Sequence, residues 1–155
     1  MKNLGIYVHI PFCVKKCNYC DFNSSSASDE VQNIYTDSLV NEIKEFGKLK
    51  KVTADTVFLG GGTPTLLGEK NLEKIITAIK ENIIIAPDNE FTIECNPKTA
   101  NLGKFRVLRD LGVNRVSLGV QSMDDEILKI LGRVHNLKDF IECFASARIA
   151  GFENI

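Results

Sequence analysis

The chain has 155 residues, of which 44% are hydrophobic and 25% charged, and 19 basic against 20 acidic residues leave a net charge of −1 at pH 7. This length suits one domain with a real core, and the balanced charge argues against capture of nucleic acid or of an anionic membrane surface. No apolar segment approaches the length of a membrane span, and the apolar stretch at residues 4–10 is too short for a secretory signal.

Strands and helices are predicted to alternate. Residues 4–10 are apolar and β-rich and predict a first strand, which a loop over residues 11–28 follows. Residues 29–50 predict a helix, because apolar side chains recur at steps of three and four. The later predicted strands cover residues 57–59, 90–95 and 115–120, and the later predicted helices cover residues 69–83, 99–111 and 124–131 and a segment between a cap at Asn136 and Gly151.

Four alternations of strand and helix predict an α/β fold with a parallel sheet and right-handed crossovers. An open parallel sheet and part of a (β/α) barrel both satisfy this pattern. Residues 152–155 have the character of a fifth strand that has only begun, so we expect an arc of a partial barrel, truncated at that strand, with the whole chain forming the N-terminal part of one core domain.

The chain's distinctive motifs all come directly after a predicted strand. PFCVKKCNYC follows the first strand, GGGTPT follows the second, and Glu94–Pro97 and Gly119–Ser122 end the third and fourth. Because the carboxyl ends of parallel strands line the active site of α/β folds, we expect the four motifs to meet at one mouth.

The cysteine motif is the most specific of these. Five cysteines, three of them within eight positions, indicate a reducing, cytoplasmic setting with metal or redox chemistry rather than disulfides. Cys13, Cys17 and Cys20 can wrap one iron–sulfur cluster, and because such clusters take four cysteines, three would leave one iron open. The alternatives are a zinc site with His9 as fourth ligand and buried free thiols.

The other motif residues each have a functional and an ordinary interpretation. GGGTPT either lets a ligand approach bare backbone or forms a tight turn. Glu94 and Gln121 could accept hydrogen bonds from sugar hydroxyls or could be surface polar groups. Arg133 could pair with a carboxylate in bidentate geometry or remain an ordinary surface arginine.

Taken together, the segments YVHIPFCVKKCNYCDF, FLGGGTPTLL, FTIECNP and NRVSLGVQS…LGRVH resemble the oxygen-independent coproporphyrinogen III oxidase-like radical-SAM family. The resemblance implies a 4Fe-4S cluster on the three cysteines, with S-adenosylmethionine (SAM) chelating the open iron. In the enzymes of the superfamily, SAM cleavage yields a 5′-deoxyadenosyl radical. Eight residues match family positions that contact SAM, namely Tyr7, Tyr19, Gly61, Gly62, Thr63, Glu94, Gln121 and Arg133.

The resemblance also implies individual roles at the SAM site. Tyr19 would lie on the adenine side, and Gly61 and Gly62 would contact the methionine amino group. Glu94 and Gln121 would bind the ribose, while Arg133 would pair with the carboxylate.

One residue separates two branches of this family. The oxidases resemble this chain but have a further cysteine two residues after the third cluster cysteine, where this chain has Phe22. The Cys-Asp-Phe ending resembles the haem-chaperone branch, whose expected partners are haem or a porphyrin, a haem-acceptor protein and a flavodoxin- or ferredoxin-type electron donor. The branch's haem-binding motif ends in Trp, which this chain lacks. A haem chaperone is therefore predicted, with oxidative decarboxylation of porphyrinogen propionates as the alternative.

Overall fold

The computed structural model describes residues 4–155, which form four strands and five α-helices in alternating order. The strands are β1 (Leu4–Ile10), β2 (Thr53–Gly61), β3 (Ile84–Cys95) and β4 (Arg115–Leu118). The helices are α1 (Asp29–Leu49), α2 (Glu69–Asn82), α3 (Leu102–Asp110), α4 (Asp125–Ile130) and α5 (Leu137–Ile149), and a short 3-10 helix spans Pro64–Leu66.

The strands form one parallel sheet in the order β1-β2-β3-β4. Each strand therefore lies beside the one that follows it in the chain, and the intervening segment returns the chain to the same end of the sheet. All four carboxyl ends lie along one edge as a result. The predicted α/β class with a parallel sheet is confirmed.

The core lies between the sheet and the helices that cover it. Helix α2 presents an apolar face to the sheet, because its buried side chains recur at helical spacing, and the strands contribute alternate residues from the facing side. The fully buried members include Ile10, Leu59, Leu72, Ile75, Ile76, Ile79 and Ile93. Within residues 4–155, no helix is both long and apolar enough to cross a bilayer.

The predicted strand limits need correction. Strand β2 does not stop at the glycines, because Gly60 and Gly61 still pair with His9 and Ile10 of β1. Strand β3 begins six residues earlier than predicted, at Ile84, after which the ladder shifts register between Ala54 and Thr56 of its partner. Conversely, β4 ends at Leu118 rather than residue 120. Backbone pairing, which a hydrophobic pattern does not report, sets these ends.

The helix ends follow the chemistry of their capping residues. Asn136 and Asp139 form the two reciprocal bonds of a capping box at α5, and Gly151 just beyond this helix has φ 92°. Helix α3 begins three residues later than predicted, because the Asn101 side chain caps it by accepting from Lys104 N. Of the expected fifth strand, one parallel bridge between Arg115 and Asn154 is present.

Candidate functional site

A cavity of about 340 Å³ lies at the carboxyl ends of the strands, where the four motifs converge. The cysteine loop forms one wall, and the glycine motif and the ends of β3 and β4 form the others. Ten of the eleven residues predicted from the sequence line it, namely Cys13, Cys17, Cys20, Tyr19, Gly61, Gly62, Thr63, Glu94, Gln121 and Arg133.

Tyr7 is the residue that does not line this cavity. It lies on β1 with 58% of its surface exposed, and its ring stacks on Phe58 at 6.1 Å between centroids. Burial raises the pKa of the Tyr7 phenol, and the nearby Glu94 carboxylate raises it further. Tyr7 is therefore close enough to Glu94 for an electrostatic interaction, although Tyr7 does not line the cavity.

Hydrogen bonds join the two ends of the cysteine loop to each other and join its middle to the end of α4. Near its start, Cys13 N–H donates to Ser25 O at 3.0 Å, and Ser25 N–H donates to Pro11 O at 2.9 Å. Further along, the backbone amide of Asn18 donates to the O of Leu131, the residue that follows α4, and the side-chain amide donates to the O of Ile130, the last residue of α4. The loop is thus held between β1 and the end of α4, by backbone hydrogen bonds and by the Asn18 side chain.

The three loop thiols face the cavity without converging on one point. Each is partly buried and free, and within residues 4–155 no three His, Cys, Asp or Glu side chains are grouped to hold a single ion. A tetrahedral zinc ion needs its ligands around one point, whereas the cysteines of an iron–sulfur cluster bind different iron atoms. His9 is engaged elsewhere, with Nδ1 2.9 Å from Tyr7 Oη and Nε2 2.9 Å from Asn23 O.

The glycine motif lies against the start of the cysteine loop, backbone against backbone. Gly62 N–H donates to Ile10 O at 2.8 Å, and Thr63 N–H donates to Phe12 O at 2.7 Å. A Cβ on Gly62 would lie 2.6 Å from that same Phe12 oxygen. Gly61 has φ +113°, in the region that favours glycine, and a Cβ there would meet the His9 ring at 2.7 Å.

Glu94 projects from the end of β3 into the cavity beneath the glycines. Its Oε2 accepts from Gly61 N–H at 3.0 Å. Burial raises the pKa of this carboxyl above its ordinary value, while the Gly61 hydrogen bond and His9 partly offset the rise. The remaining lone pairs leave Glu94 able to accept hydrogen bonds from a ligand's hydroxyl groups.

Arg133 spans the opposite side of the cavity. Nη2 donates to Asn96 Oδ1 at 2.5 Å and to Gly119 O at 2.9 Å, while Nη1 lies 3.4 Å from both Cys17 Sγ and Tyr19 Oη. Its buried Nε has no hydrogen-bond partner among residues 4–155. An arginine held in this way provides a fixed positive charge beside the Cys17 sulfur, and its Nε–H is available to donate to a ligand.

Gln121 stands at the rim of the cavity. It is exposed, and its backbone has φ 68°, a left-handed conformation that is uncommon for a residue with a side chain. Such strain persists where the surrounding structure demands it, and it is concentrated at functional sites.

Two residues with no predicted role form hydrogen bonds between the segments that surround the site. Asn96 joins Arg133 to Thr63, to which its Nδ2 donates at 2.8 Å. Lys104 on α3 donates to the carbonyls of Thr65, Leu67 and Thr99, at 2.8–3.0 Å, and burial lowers its pKa. The strand-end position of Asn96 could have identified it, whereas no sequence signal marks Lys104, since its acceptors lie on two other segments.

The residues present fit a cluster with an adjoining polar cofactor. Three thiols come from one loop, and the glycines leave bare backbone where side chains would fill the space. Polar groups reach two of the thiol sulfurs: the Thr63 hydroxyl lies 3.5 Å from Cys13 Sγ, and Arg133 Nη1 donates to Cys17 Sγ. Hydrogen bonds to cysteine sulfur are among the features of the surroundings that tune an iron–sulfur cluster, so these contacts are compatible with one.

Comparisons with known proteins agree on the family to which this chain is similar. Residues 7–155 match the family model described as "Radical SAM superfamily". The heme chaperone HemW of Bacillus subtilis is 42% identical over 96% of this chain and 40% of its own length, and HemW of Escherichia coli is 40% identical over 85% and 35%. The chain therefore spans about two fifths of the length of these relatives.

Solved structures show the same fold. The coproporphyrinogen III oxidase HemN of Escherichia coli, described as a radical SAM enzyme, superposes with a TM-score of 0.90 at 31% identity, over 97% of this chain and 35% of that one. Methylornithine synthase (PylB) superposes with a TM-score of 0.61 at 18% identity over 97% of this chain, a likeness of fold alone. The four-stranded parallel sheet is thus part of a radical-SAM partial barrel.

Proposed function

The chain belongs to the radical SAM superfamily, and on that basis we propose that the intact protein is a haem chaperone that carries a 4Fe-4S cluster and binds SAM. The observation that carries the cofactor proposal is that three cysteine thiols, the bare glycine backbone and Glu94 all line one cavity. The relatives named heme chaperone support the haem role, as does Phe22, which stands where the oxidase branch is expected to have a cysteine.

Each side chain has a defined part in this proposal. Cys13, Cys17 and Cys20 hold the cluster through their thiolates. Gly61 and Gly62 let a ligand's amino group approach backbone oxygen, and Glu94 and Gln121 accept hydrogen bonds from ribose hydroxyls. When bound, the reduced cluster and SAM supply one-electron chemistry, while the protein's own contribution is to orient groups and exclude water.

The remaining predicted contacts complete the SAM site. Arg133 supplies positive charge for a carboxylate, and Tyr19 offers a ring for the adenine side. Tyr7 would contact the ligand from its position near Glu94, next to the cavity.

The proposed partners follow from the haem role. The intact protein would bind haem and pass it to an acceptor protein, and a flavodoxin- or ferredoxin-type protein would supply electrons to the cluster. A cytoplasmic setting is proposed as well, because all five cysteines are free thiols, as a reducing compartment keeps them.

Oxidative decarboxylation of coproporphyrinogen is the second candidate. The observation in its favour is the superposition on the HemN oxidase. The chemistry would use the same cluster and SAM site, so the two candidates differ in what the intact protein does with the tetrapyrrole.

Two measurements on the intact protein test the proposal. Anaerobic reconstitution with iron and sulfide is expected to give a coloured protein with about four irons per chain, as a cubane requires, and a colourless product holding one zinc would contradict the cluster. Incubation with coproporphyrinogen, SAM and a strong reductant then separates the candidates. Haem binding without turnover supports the chaperone, and decarboxylated product refutes a role limited to haem transfer.

A further inference from the structure

Asn96 links two of the proposed cluster cysteines through two different side chains. On one side its Nδ2 lies 2.8 Å from Thr63 Oγ1, and that oxygen lies 3.5 Å from Cys13 Sγ. On the other side its Oδ1 accepts from Arg133 Nη2, and Arg133 Nη1 reaches Cys17 Sγ at 3.4 Å. One amide therefore connects sulfur atoms that are four residues apart in the loop.

Chemistry fixes the direction of the bonds that Asn96 makes, and binding of the cluster would fix the direction of the bond to Cys13. A guanidinium only donates, so the atom of Asn96 that faces Arg133 must be the carbonyl oxygen, and the amide nitrogen must face Thr63. The Thr63 oxygen then accepts from that nitrogen. A free Cys13 thiol and the Thr63 hydroxyl could each donate to the other, but a cysteine that binds the cluster as a thiolate carries no proton, so with the cluster bound the Thr63 hydroxyl must donate to Cys13 Sγ. Both ends of the chain of contacts thus present a donor to a cysteine sulfur.

The surroundings strengthen these donors. Thr63 is 3% exposed, and Arg133 and Asn96 are partly buried. Hydrogen bonds shielded from water are electrostatically stronger, and donors within a network polarise one another. Bonds to thiolate sulfur stabilise the more negative, reduced state of an iron–sulfur cluster, and they are among the factors that set its potential.

We propose that Asn96 is a positioning residue that raises the reduction potential of the cluster by orienting Thr63 toward Cys13 and Arg133 toward Cys17. This inference rests on the proposed function, since it requires a cluster on these cysteines. The redox step is the transfer of one electron from an external reductant to the cluster, with no bond broken and no proton moved at Asn96, Thr63 or Arg133.

The test is a reductive titration of the intact, reconstituted protein with dithionite and mediators, in the absence of SAM. The reduced cluster is followed by electron paramagnetic resonance in the wild type and in Asn96→Ala, Thr63→Val and Thr63→Ser. We expect Asn96→Ala to shift the reduced-to-oxidised ratio about tenfold toward the oxidised form, which is about 59 mV lower for one electron. Thr63→Val should lower the potential in the same direction, and Thr63→Ser, which keeps the hydroxyl, should restore it.

Asn114→Ala is the matched control. Asn114 is also a partly buried asparagine bonded on both sides of its amide, to Phe91 N–H and to Asn89 O, but it does not line the cavity. It should alter stability and leave the potential unchanged.

The outcomes separate this inference from the function on which it rests. A wild-type protein that assembles no cluster refutes the proposed function. A wild-type cluster whose potential is the same in Asn96→Ala and Thr63→Val overturns the tuning role. Loss of the cluster from both variants, with Asn114→Ala still assembling one, also overturns it, in favour of a role in assembly.

Discussion

Replacing Gly62 with alanine tests whether the glycine motif positions the cysteine loop. The added Cβ would lie 2.6 Å from Phe12 O and 2.9 Å from Phe12 C and N, and the nearest of these contacts is about 0.8 Å short of the 3.4 Å at which ordinary contact begins. The obstacle is backbone, and Phe12 O already accepts from Thr63 N–H at 2.7 Å. Relief therefore requires the two segments to separate and this hydrogen bond to lengthen.

The structure gives a magnitude for this change. Overpacking of this kind costs about 1–3 kcal/mol, and in a domain of this size each kcal/mol lowers the melting temperature by about 2–4 °C. We expect Gly62→Ala to melt several degrees below the wild type in thermal unfolding followed by circular dichroism. Because Phe12 precedes Cys13, the variant should also retain less iron after anaerobic reconstitution.

Gly68→Ser serves as the control for adding a side chain at a glycine. A Cβ at Gly68 meets no atom within 4 Å, and no side chain caps helix α2 at this position. Serine is more favourable than glycine at a helix N-cap by a few tenths of a kcal/mol. The control should therefore melt at or slightly above the wild-type temperature. Equal melting temperatures and equal iron content for Gly62→Ala and Gly68→Ser would refute the reasoning.

Three further predictions concern single residues of the site. Cys17→Ser should abolish cluster assembly, measured as iron per chain, while Cys143→Ser, buried on α5, should not; equal loss in both would show that the ligands are wrongly assigned. Glu94→Gln should weaken SAM binding about tenfold in calorimetry at pH 8, because a hydrogen bond to a charged acceptor is stronger than one to a neutral amide by about 1–1.5 kcal/mol. Since burial raises the pKa of Glu94, wild-type affinity should fall as the pH drops through that raised value, and a pH dependence that persists in Glu94→Gln would exclude this carboxyl as its source. Burial lowers the pKa of His135, and the charge of Arg133 lowers it further. Between about pH 6.5 and that lowered pKa, His135 is therefore protonated in the unfolded state but not in the folded state. Stability should therefore fall as the pH drops from about 6.5 to the lowered value, and His135→Gln should remove that dependence in urea unfolding; an unchanged pH profile would contradict it.

The sequence determined the class of fold and the position of the site. Apolar spacing and capping residues predicted all five α-helices and the interior of each strand, although not the short 3-10 helix Pro64–Leu66, and the motifs lay where strands end. Parallel strands bring their carboxyl ends to one edge, and ten of the eleven residues that the motifs and the family resemblance singled out line one cavity there.

Strand ends and the supporting residues could not be predicted in this way. Gly60 and Gly61 have poor strand propensity, yet they continue β2 because pairing with β1 satisfies their backbone groups. Lys104 supports the site from outside the cavity, because three carbonyls from two other segments converge on its amine. Contacts of this kind join residues that are 5 to 39 positions apart, and a local pattern does not contain them.

The division between sequence and tertiary structure is clearest at the cysteines themselves. Four- and three-residue spacing in one loop is local chemistry, so Cys13, Cys17 and Cys20 could be identified as ligands from the sequence. What each sulfur meets depends on segments that lie up to 116 residues away, as Arg133 does from Cys17. Only the folded sheet places Asn96 between Thr63 and Arg133, because strand order decides which loop ends are neighbours.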